Sequence, residues 1–297
     1  MIINYHTITG LTVGFRNEYN KGFAGAVPQW QKVAALIPSI TGTNQYPFHS
    51  AFPKLREWVG DRQAKNLIAY TYSLLNKPFE GTVKVDRPSI INDQWGVFNM
   101  DMQMMGYSAG MHPDELVFGA ISSAATDLCY DDQPFLNASH PIVVDGVETT
   151  TSNYDSTPST SLWLMLDTKK PIKPFIYQKR EPYTFVMKTQ QNDENVFWRN
   201  EYVYGVNGYG AAGYGFWQLA YGSLNTLNET NVDAYYQAMI ALKDDEGHPL
   251  GVMPDTILVG PSNAVAARNL VKKERLENGE SNPLYGAYDI VLTPFLT

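Results

Sequence analysis

Between Leu162 and Ser223 the chain keeps returning to a two-residue rhythm, and nothing else in the sequence limits the fold as much. PFIYQKR, YTFVMKT and NVFWRNEYVYGV place aromatic or β-branched residues at alternate positions, which gathers those side chains on one face of a strand. Such segments need a sheet, because a strand can satisfy its backbone groups only against neighbours. Within the block, Gly208-Tyr209-Gly210-Ala211-Ala212-Gly213 spells G-x-G-x-x-G. That string cradles a dinucleotide only where a strand runs in and a helix leaves. Here Tyr214 to Gly222 again alternates aromatics and glycines, and the next acidic residue, Glu229, lies in a Thr/Asn turn. The expectation is therefore a hairpin. Tyr202, Tyr204 and Val206 lead in, Phe216 and its successors return, and the glycines supply positive φ at the tip.

The remaining segments mix helix and strand without regular alternation, which points to an α+β class. Leu11, Phe15, Tyr19 and Phe23 recur every four residues, with Thr9 as N-cap and Gly25 as stop, so one amphipathic helix is expected there. From Pro28 to Pro53 the chain is Pro-rich and carries Trp30, Tyr46, Phe48 and Phe52, the pattern of an extended arm lying on some other surface. Leu67 to Leu75 and Phe79 to Arg87 read as two strands joined by Asn76-Lys77-Pro78 into a long hairpin. Two strands alone are marginal in water, so this hairpin too must lean on something. Helical spacing follows from Asn92 to Gly110 through Phe98, Met102, Met105 and Ala109. A second helix is expected to open at Pro113, with Asp114 and Glu115 complementing its dipole and Leu116, Val117, Ala120, Ile121 and Ala124 on its buried side. After a loop at YDDQPFLNASHP, residues 148 to 161 read as an exposed Ser/Thr/Asn-rich excursion. A helix from Val232 to Lys243, a turn at DDEGHPLG, a strand from Thr256 to Val259, a helix from Asn263 to Asn278 and a closing strand in YDIVLTPFL complete the chain.

Chemistry is scarce. Cys129 and His140 suggest a thiolate and its base, but Asp127, Asp131 and Asp132 beside the cysteine would raise its pKa, so a buried, inert thiol is expected. His6, His49, His112, His140 and His248 are scattered without the spacing of metal ligands. Asp244-Asp245-Glu246 lacks the alternation of a calcium loop and reads as a solvated turn. No G-x-S-x-G elbow occurs. No cofactor, metal or enzymatic activity is expected. The net charge of −8 opposes tight phosphate binding, and the basic group Lys272, Lys273 and Arg275 is interrupted by Glu274 and Glu277. The single cysteine and the lack of a leader after Met1 point to a cytosol, and no apolar run reaches the roughly eighteen residues of a membrane span. Nineteen Tyr, thirteen Phe and six Trp, many among polar neighbours, suit surfaces that become dry on association. An arm, a projecting hairpin and a long helix that cannot cover their own apolar faces describe a self-assembling subunit.

Specific stretches carry a family likeness. PQWQKVA, FPKLREWVGDR, NKPFEGTVKVDR, HPDELVF, CYDDQPFLNASHP, KPFIYQKR, GYGFWQLAYGS and NPLYGAYDIVLTPFL together resemble the major head subunit of Mu-like phages and prophages. The resemblance implies a capsid protein of the Hong Kong 97 type, forming hexamers and pentamers of an icosahedral shell around double-stranded DNA. It implies an N-terminal arm at 1–53, an extended loop at 54–91, the spine helix of the peripheral domain at 92–127, a sheet-rich peripheral and axial region at 128–230 and axial-domain elements at 231–297. One departure is that the sheet-rich block precedes TILVGPSNAVAARNLV, whereas many relatives have the reverse order, which implies permuted connectivity. Scaffolding protein, protease and portal are implied as assembly partners, packaged DNA as a weak non-specific one, and the virion as the location, after assembly in a bacterial cytoplasm.

The assembly interface is expected first at Arg56-Glu57-Trp58-Val59-Gly60-Asp61-Arg62, where charges of both signs flank an apolar anchor. Tyr70, Tyr72, Lys77 and Phe79 of the hairpin and Phe15, Tyr19 and Trp30 of the arm complete the set, with Lys77 at the hairpin tip placed for a cross-link. The competing readings are another polymerising virion or tail protein and, further off, an aromatic-rich carbohydrate-binding module.

Overall fold

The structure is a computed structural model that describes residues 5–49, 69–93, 96–144, 147–244, 247–276 and 279–296. Helices α1 (Tyr5–Gly25) and α2 (Trp30–Val33) precede strands β1 (Ala34–Pro38), β2 (Thr43–His49), β3 (Ala69–Leu75) and β4 (Lys77–Asp86). Helices α3 (Arg87–Asn92) and α4 (Val97–Ser122) follow, then the short strands β5 (His140–Val144), β6 (Val147–Thr151), β7 (Tyr154–Asp155) and β8 (Trp163–Leu166). Two 14-residue strands, β9 (Phe175–Lys188) and β10 (Glu201–Tyr214), flank α5 (Glu194–Arg199). The chain ends with β11 (Ala220–Ser223), α6 (Glu229–Ile240), β12 (Thr256–Val259), α7 (Ala264–Lys272) and β13 (Asp289–Leu292).

Two sheets organise these elements. A five-stranded sheet in the order β13-β12-β8-β11-β7 forms the centre of a body. A four-stranded sheet in the order β1-β9-β10-β4 extends from that body as an arm. Between β8 and β11, which pair directly, the chain leaves along β9 and returns along β10, so the arm is an insertion in the body's sheet. β2–β3 and β5–β6 are separate antiparallel ribbons.

The mixed helix and strand class is as expected, but several local expectations are corrected. There is no hairpin at the glycine string: β10 runs unbroken through Gly208, Gly210 and Gly213, none of which has positive φ. Those glycines make room instead. A Cβ on Gly208 would lie 2.5 Å from the Tyr183 ring, and one on Gly213 would lie 2.8 Å from the Tyr72 hydroxyl. PFIYQKR and YTFVMKT are one strand, β9, and NVFWRNEYVYGV divides between α5 and β10.

The long hairpin of Leu67–Leu75 with Phe79–Arg87 does not form either. β3 pairs with β2 and β4 with β10, in a continuous register from Asp86↔Glu201 to Lys77↔Gly210. The link does not turn because Asn76 is held elsewhere: its N–H donates to the Gly42 carbonyl at 2.9 Å, and its amide donates to Ser39 Oγ at 2.8 Å and the Thr41 carbonyl at 2.9 Å. The alternation inside β4 is as read from the sequence, with Glu80, Thr82, Lys84 and Asp86 exposed.

The expectation that the leading segment finds dry cover only on sister copies is overturned. Helix α1 begins at Tyr5, which places Thr9 within it rather than at a cap, and it lies against α4. Glycines permit a close crossing: a Cβ on Gly22 would sit 1.9 Å from the Gln103 carbonyl oxygen, and one on Gly106 2.0 Å from that of Tyr19. Phe15 and Tyr19 are buried between α4 and the four-stranded sheet, at 5.1 Å from Tyr204 and 5.2 Å from Phe185 (ring centroids). The Pro-rich arm is also folded in. Trp30 is buried against Tyr177, β1 pairs in parallel with β9, and Phe48 stacks on Tyr130 at 4.9 Å.

The two helices expected on either side of residue 112 are one, α4, which runs through Pro113. Pro113 removes one helical donor, and the packing around this buried residue outweighs that loss. Asp114 consequently caps another element: its carboxylate accepts the N–H groups of Gln29 at 2.9 Å and of Trp30 at 2.7 Å, which seats α2. Helix α7 stops at Lys272, well short of Asn278, and α6 ends at Ile240. The Ser/Thr/Asn-rich excursion is not wholly exposed, because Asn153 within it is buried.

Candidate functional site

The arm is covered on one face only. Its inner face packs Tyr202, Tyr204, Val206, Val85 and Phe185 against Phe15 and Tyr19 of α1 and Met102 and Ala109 of α4. Its outer face carries alternate residues of β4, β9 and β10 and is mainly polar, apart from the exposed Val186, with Lys84 Nζ 3.1 Å from Glu201 Oε1 and the Arg180 guanidinium 5.6 Å above the Tyr209 ring. Among the apolar groups left uncovered on the described residues, two sets are neighbours in the chain or on one helix face. On the side of α4 turned away from its packed residues, Val97, Met100, Met104 and Tyr107 recur at intervals of three and four, and both methionines are 64% exposed. At the far end of the β9–β10 pair, Phe197 and Trp198 of α5 are 69% and 78% exposed.

A cleft of about 620 Å³ lies between α4 and β4, lined among others by Phe79, Val83, Met104, Met105 and His112. The His112 ring sits edge-on to Phe79 at 4.4 Å and is hydrogen-bonded through Nδ1 to the Tyr183 hydroxyl. Burial lowers the His112 pKa, with Glu115 opposing the shift, so this imidazole tends towards neutrality.

The residues expected at an interface are therefore dispersed. Phe15, Tyr19 and Trp30 are buried within the chain itself, because α1 and α2 pack on their own sheet and helix, so they present no apolar face to a partner. Tyr72 is half-buried near Tyr46 and Phe48, whose rings lie 6.5 and 6.4 Å from its own. Lys77 is exposed but opens β4 rather than tipping a hairpin. Phe79 reaches the cleft beside α4. Tyr70 is placed by its backbone opposite Phe48, while Arg56, Glu57, Trp58, Asp61 and Arg62 lie outside the described residues. The sequence reading missed Met100, Met104, Phe197 and Trp198. The α4 pair was visible as a second apolar stripe one helical face away from Met102 and Met105.

Cys129 offers no chemistry at this site. It is buried, and its thiol donates to Asp131 Oδ1 at 2.9 Å. Burial, then the Asp131 charge, pushes its pKa far up, so no thiolate forms. Ligand atoms of Cys129, Asp131 and His140 lie within 4.8 Å of one another, and in this arrangement the Cys129 thiol and His140 Nδ1 are both hydrogen-bonded to the Asp131 carboxylate. Among the described residues no helix is long and apolar enough to cross a membrane.

Relatives supply what the local chemistry does not. Residues 8–296 match the family described as Mu-like prophage major head subunit gpT. The chain is 35% identical to the major capsid protein of Escherichia phage Mu, covering 100% of both chains. It is 36% identical to the Mu-like prophage FluMu major head subunit of Haemophilus influenzae, over 92% of this chain and 91% of the relative. Among solved structures it superposes on the procapsid subunit of bacteriophage JBD30 with a TM-score of 0.86 at 39% identity, covering 99% of this chain and 100% of that one. On the JBD30 capsid subunit the TM-score is 0.80 at 29% identity, with 100% of both chains covered. An arm satisfied on one face and apolar groups left outside fit a protein whose work is contact, and the chain belongs to the Mu-like major head subunit family, the structural proteins that form the virion capsid.

Proposed function

We propose that copies of this chain form hexamers and pentamers and close into an icosahedral shell around double-stranded DNA. The observation that carries this reading is the full-length superposition on the JBD30 procapsid and capsid subunits, which leaves no domain of this chain without a counterpart. The five-stranded body corresponds to an axial domain and the arm with α4 to a peripheral domain and its spine helix. The extended loop is then the ribbon β2–β3, which brackets residues 50–68, rather than a β3–β4 hairpin. Arg56 to Arg62 fall between these two strands in the sequence, and a Trp among charges of both signs suits a neighbour's surface. Scaffolding protein, protease and portal belong to the same reading as transient partners.

The net charge of −8 supports a shell that contains DNA without gripping it, since weak screened repulsion lets the packaged molecule leave. Negative-stain microscopy of purified protein tests the reading: rings and closed shells are expected, and a monodisperse small species under assembly conditions would overturn it. Trp58→Ala should reduce shell formation while leaving the melting temperature of the unassembled chain unchanged; equal loss of both would remove the loop from the interface. Filter binding of DNA to isolated capsomers should be weak even at low salt, and a tight complex would refute the acidic-lining argument.

A further inference from the structure

At the root of the β5–β6 ribbon the hydrogen-bond accounting determines where a proton must sit. His140, the first residue of β5, is fully buried and lies flat on Trp217, with ring centroids 4.1 Å apart and planes 7° from parallel. Its Nδ1 is 2.7 Å from Asp131 Oδ2, and its Nε2 is 3.2 Å from Asn153 Oδ1. The Asn153 amide has only one workable orientation. Its Nδ2 donates to the Phe135 carbonyl at 2.8 Å and the Trp217 carbonyl at 3.3 Å, while its Oδ1 also accepts the Asn137 N–H at 2.8 Å. Turning it over would set oxygen against two carbonyls and an amino group against an N–H. Nε2 therefore faces an acceptor and carries a proton.

A second proton lies between Nδ1 and Asp131. The carboxylate already accepts the Cys129 thiol at 2.9 Å and the Gln133 N–H at 3.2 Å through Oδ1, which stabilises its charged form. The π-face of Trp217 favours a cation on the imidazole. Both effects draw that proton onto the ring. We infer that His140 is held as an imidazolium in a buried ion pair with Asp131, and that this pair is a pH-sensitive latch fastening the β5–β6 ribbon to the body.

Among the described residues the ribbon joins no other sheet, and it is tied to the body by its root at His140 and by Ile142, which packs on the core. Among the described residues its strands pair with each other, and a two-stranded ribbon adds little stability of its own. The titratable and charged groups around the latch are few. Asp131 and Cys129 belong to the loop before β5, and the exposed Glu148 and Lys243 line a cleft of about 380 Å³ that also borders Asp131 and Trp217. Burial pushes the Asp131 pKa up, but hydrogen bonds from His140 and Cys129 outweigh it and the net displacement is downward. A carboxyl with a depressed native pKa stabilises the fold above its ordinary range and loses that contribution as pH falls through the native value, so the latch opens in acid.

Protein labelled with ¹⁵N-histidine, with His140→Gln to assign the resonance, tests the charge. At neutral pH both ring nitrogens of His140 should carry protons, and a bare nitrogen would overturn the inference. Hydrogen exchange tests the latch. Asp131→Asn should speed exchange of the β5–β6 amides about tenfold while α6 is unchanged, since one charged hydrogen bond is lost where the ribbon meets the body. In the unaltered chain, ribbon protection should fall in acid before that of α6; ribbon amides that keep their protection in either experiment would refute the latch.

Discussion

The body and the arm are built from the same kinds of residue but reach burial differently. In the body, β8, β11 and β12 are buried at every position, and Trp163, Leu164, Met165 and Leu166 have no exposed surface. In the arm, β9 is buried from Phe175 to Gln178, where it borders the body, and beyond that only Phe185 is buried. The contrast lies within one strand, so strand-forming tendency does not explain it. A sheet covered on both faces completes its own core, whereas a sheet covered on one face owes its stability to the helices laid across it. Helices α1 and α4 supply that cover and in doing so turn Met100, Met104 and Tyr107 outward. This division leaves the body with a core of fully buried strands and the arm with one uncovered face.

The comparison can be broken by substitution. The largest effect is expected from Trp163→Ala, which should cost about 3–5 kcal/mol and lower the denaturant midpoint of the whole chain. Phe15→Ala should cost about 3 kcal/mol, felt mainly in the arm. Amides of α1 and the outer halves of β9 and β10 should exchange faster while β8 and β12 stay protected; uniform loss across both regions would show that body and arm are one cooperative unit. Gly106→Ala, on the α1–α4 crossing, should destabilise by about 1–3 kcal/mol through overpacking. Gly119→Ala, on the same helix with nothing within 4 Å of the new Cβ, should instead stabilise by about 0.5–1 kcal/mol in thermal melts. The smallest stability change, within about 0.5 kcal/mol, is expected for Trp198→Ser, since that side chain is 78% exposed. In sedimentation the same substitution should reduce assembly, and normal shells would remove α5 from the contact surface.

What was legible in the sequence was mostly local. The four-residue spacing of Phe15 and Tyr19 and the alternation of Glu80, Thr82, Lys84 and Asp86 identified the right elements and the right faces. Errors arose wherever a distant partner decided the outcome. Asn76-Lys77-Pro78 has the composition of a turn, but Asn76 is bonded to the 39–42 connection and the chain passes straight on. Gly208, Gly210 and Gly213 resemble a hairpin tip, but their role is set by the Tyr183 ring, the Gln178 carbonyl and the Tyr72 hydroxyl crowding against β10. The apolar arm was expected to need a sister copy because the glycines that let α1 approach α4, Gly22, Gly106 and Gly110, are informative only once the two helices are known to cross.

The sequence by itself determined the mixed class, the helical and strand periodicities and, through long shared stretches, the capsid family, because these depend on residue type and short-range order. Only the tertiary structure decided that β4 pairs with β10 rather than β3, that α1 covers the arm, and that His140 and Asp131 meet under a ribbon. Strand partners and buried charges are selected by contacts between residues far apart in the chain, and a periodic pattern names the face to be buried but not the surface that buries it.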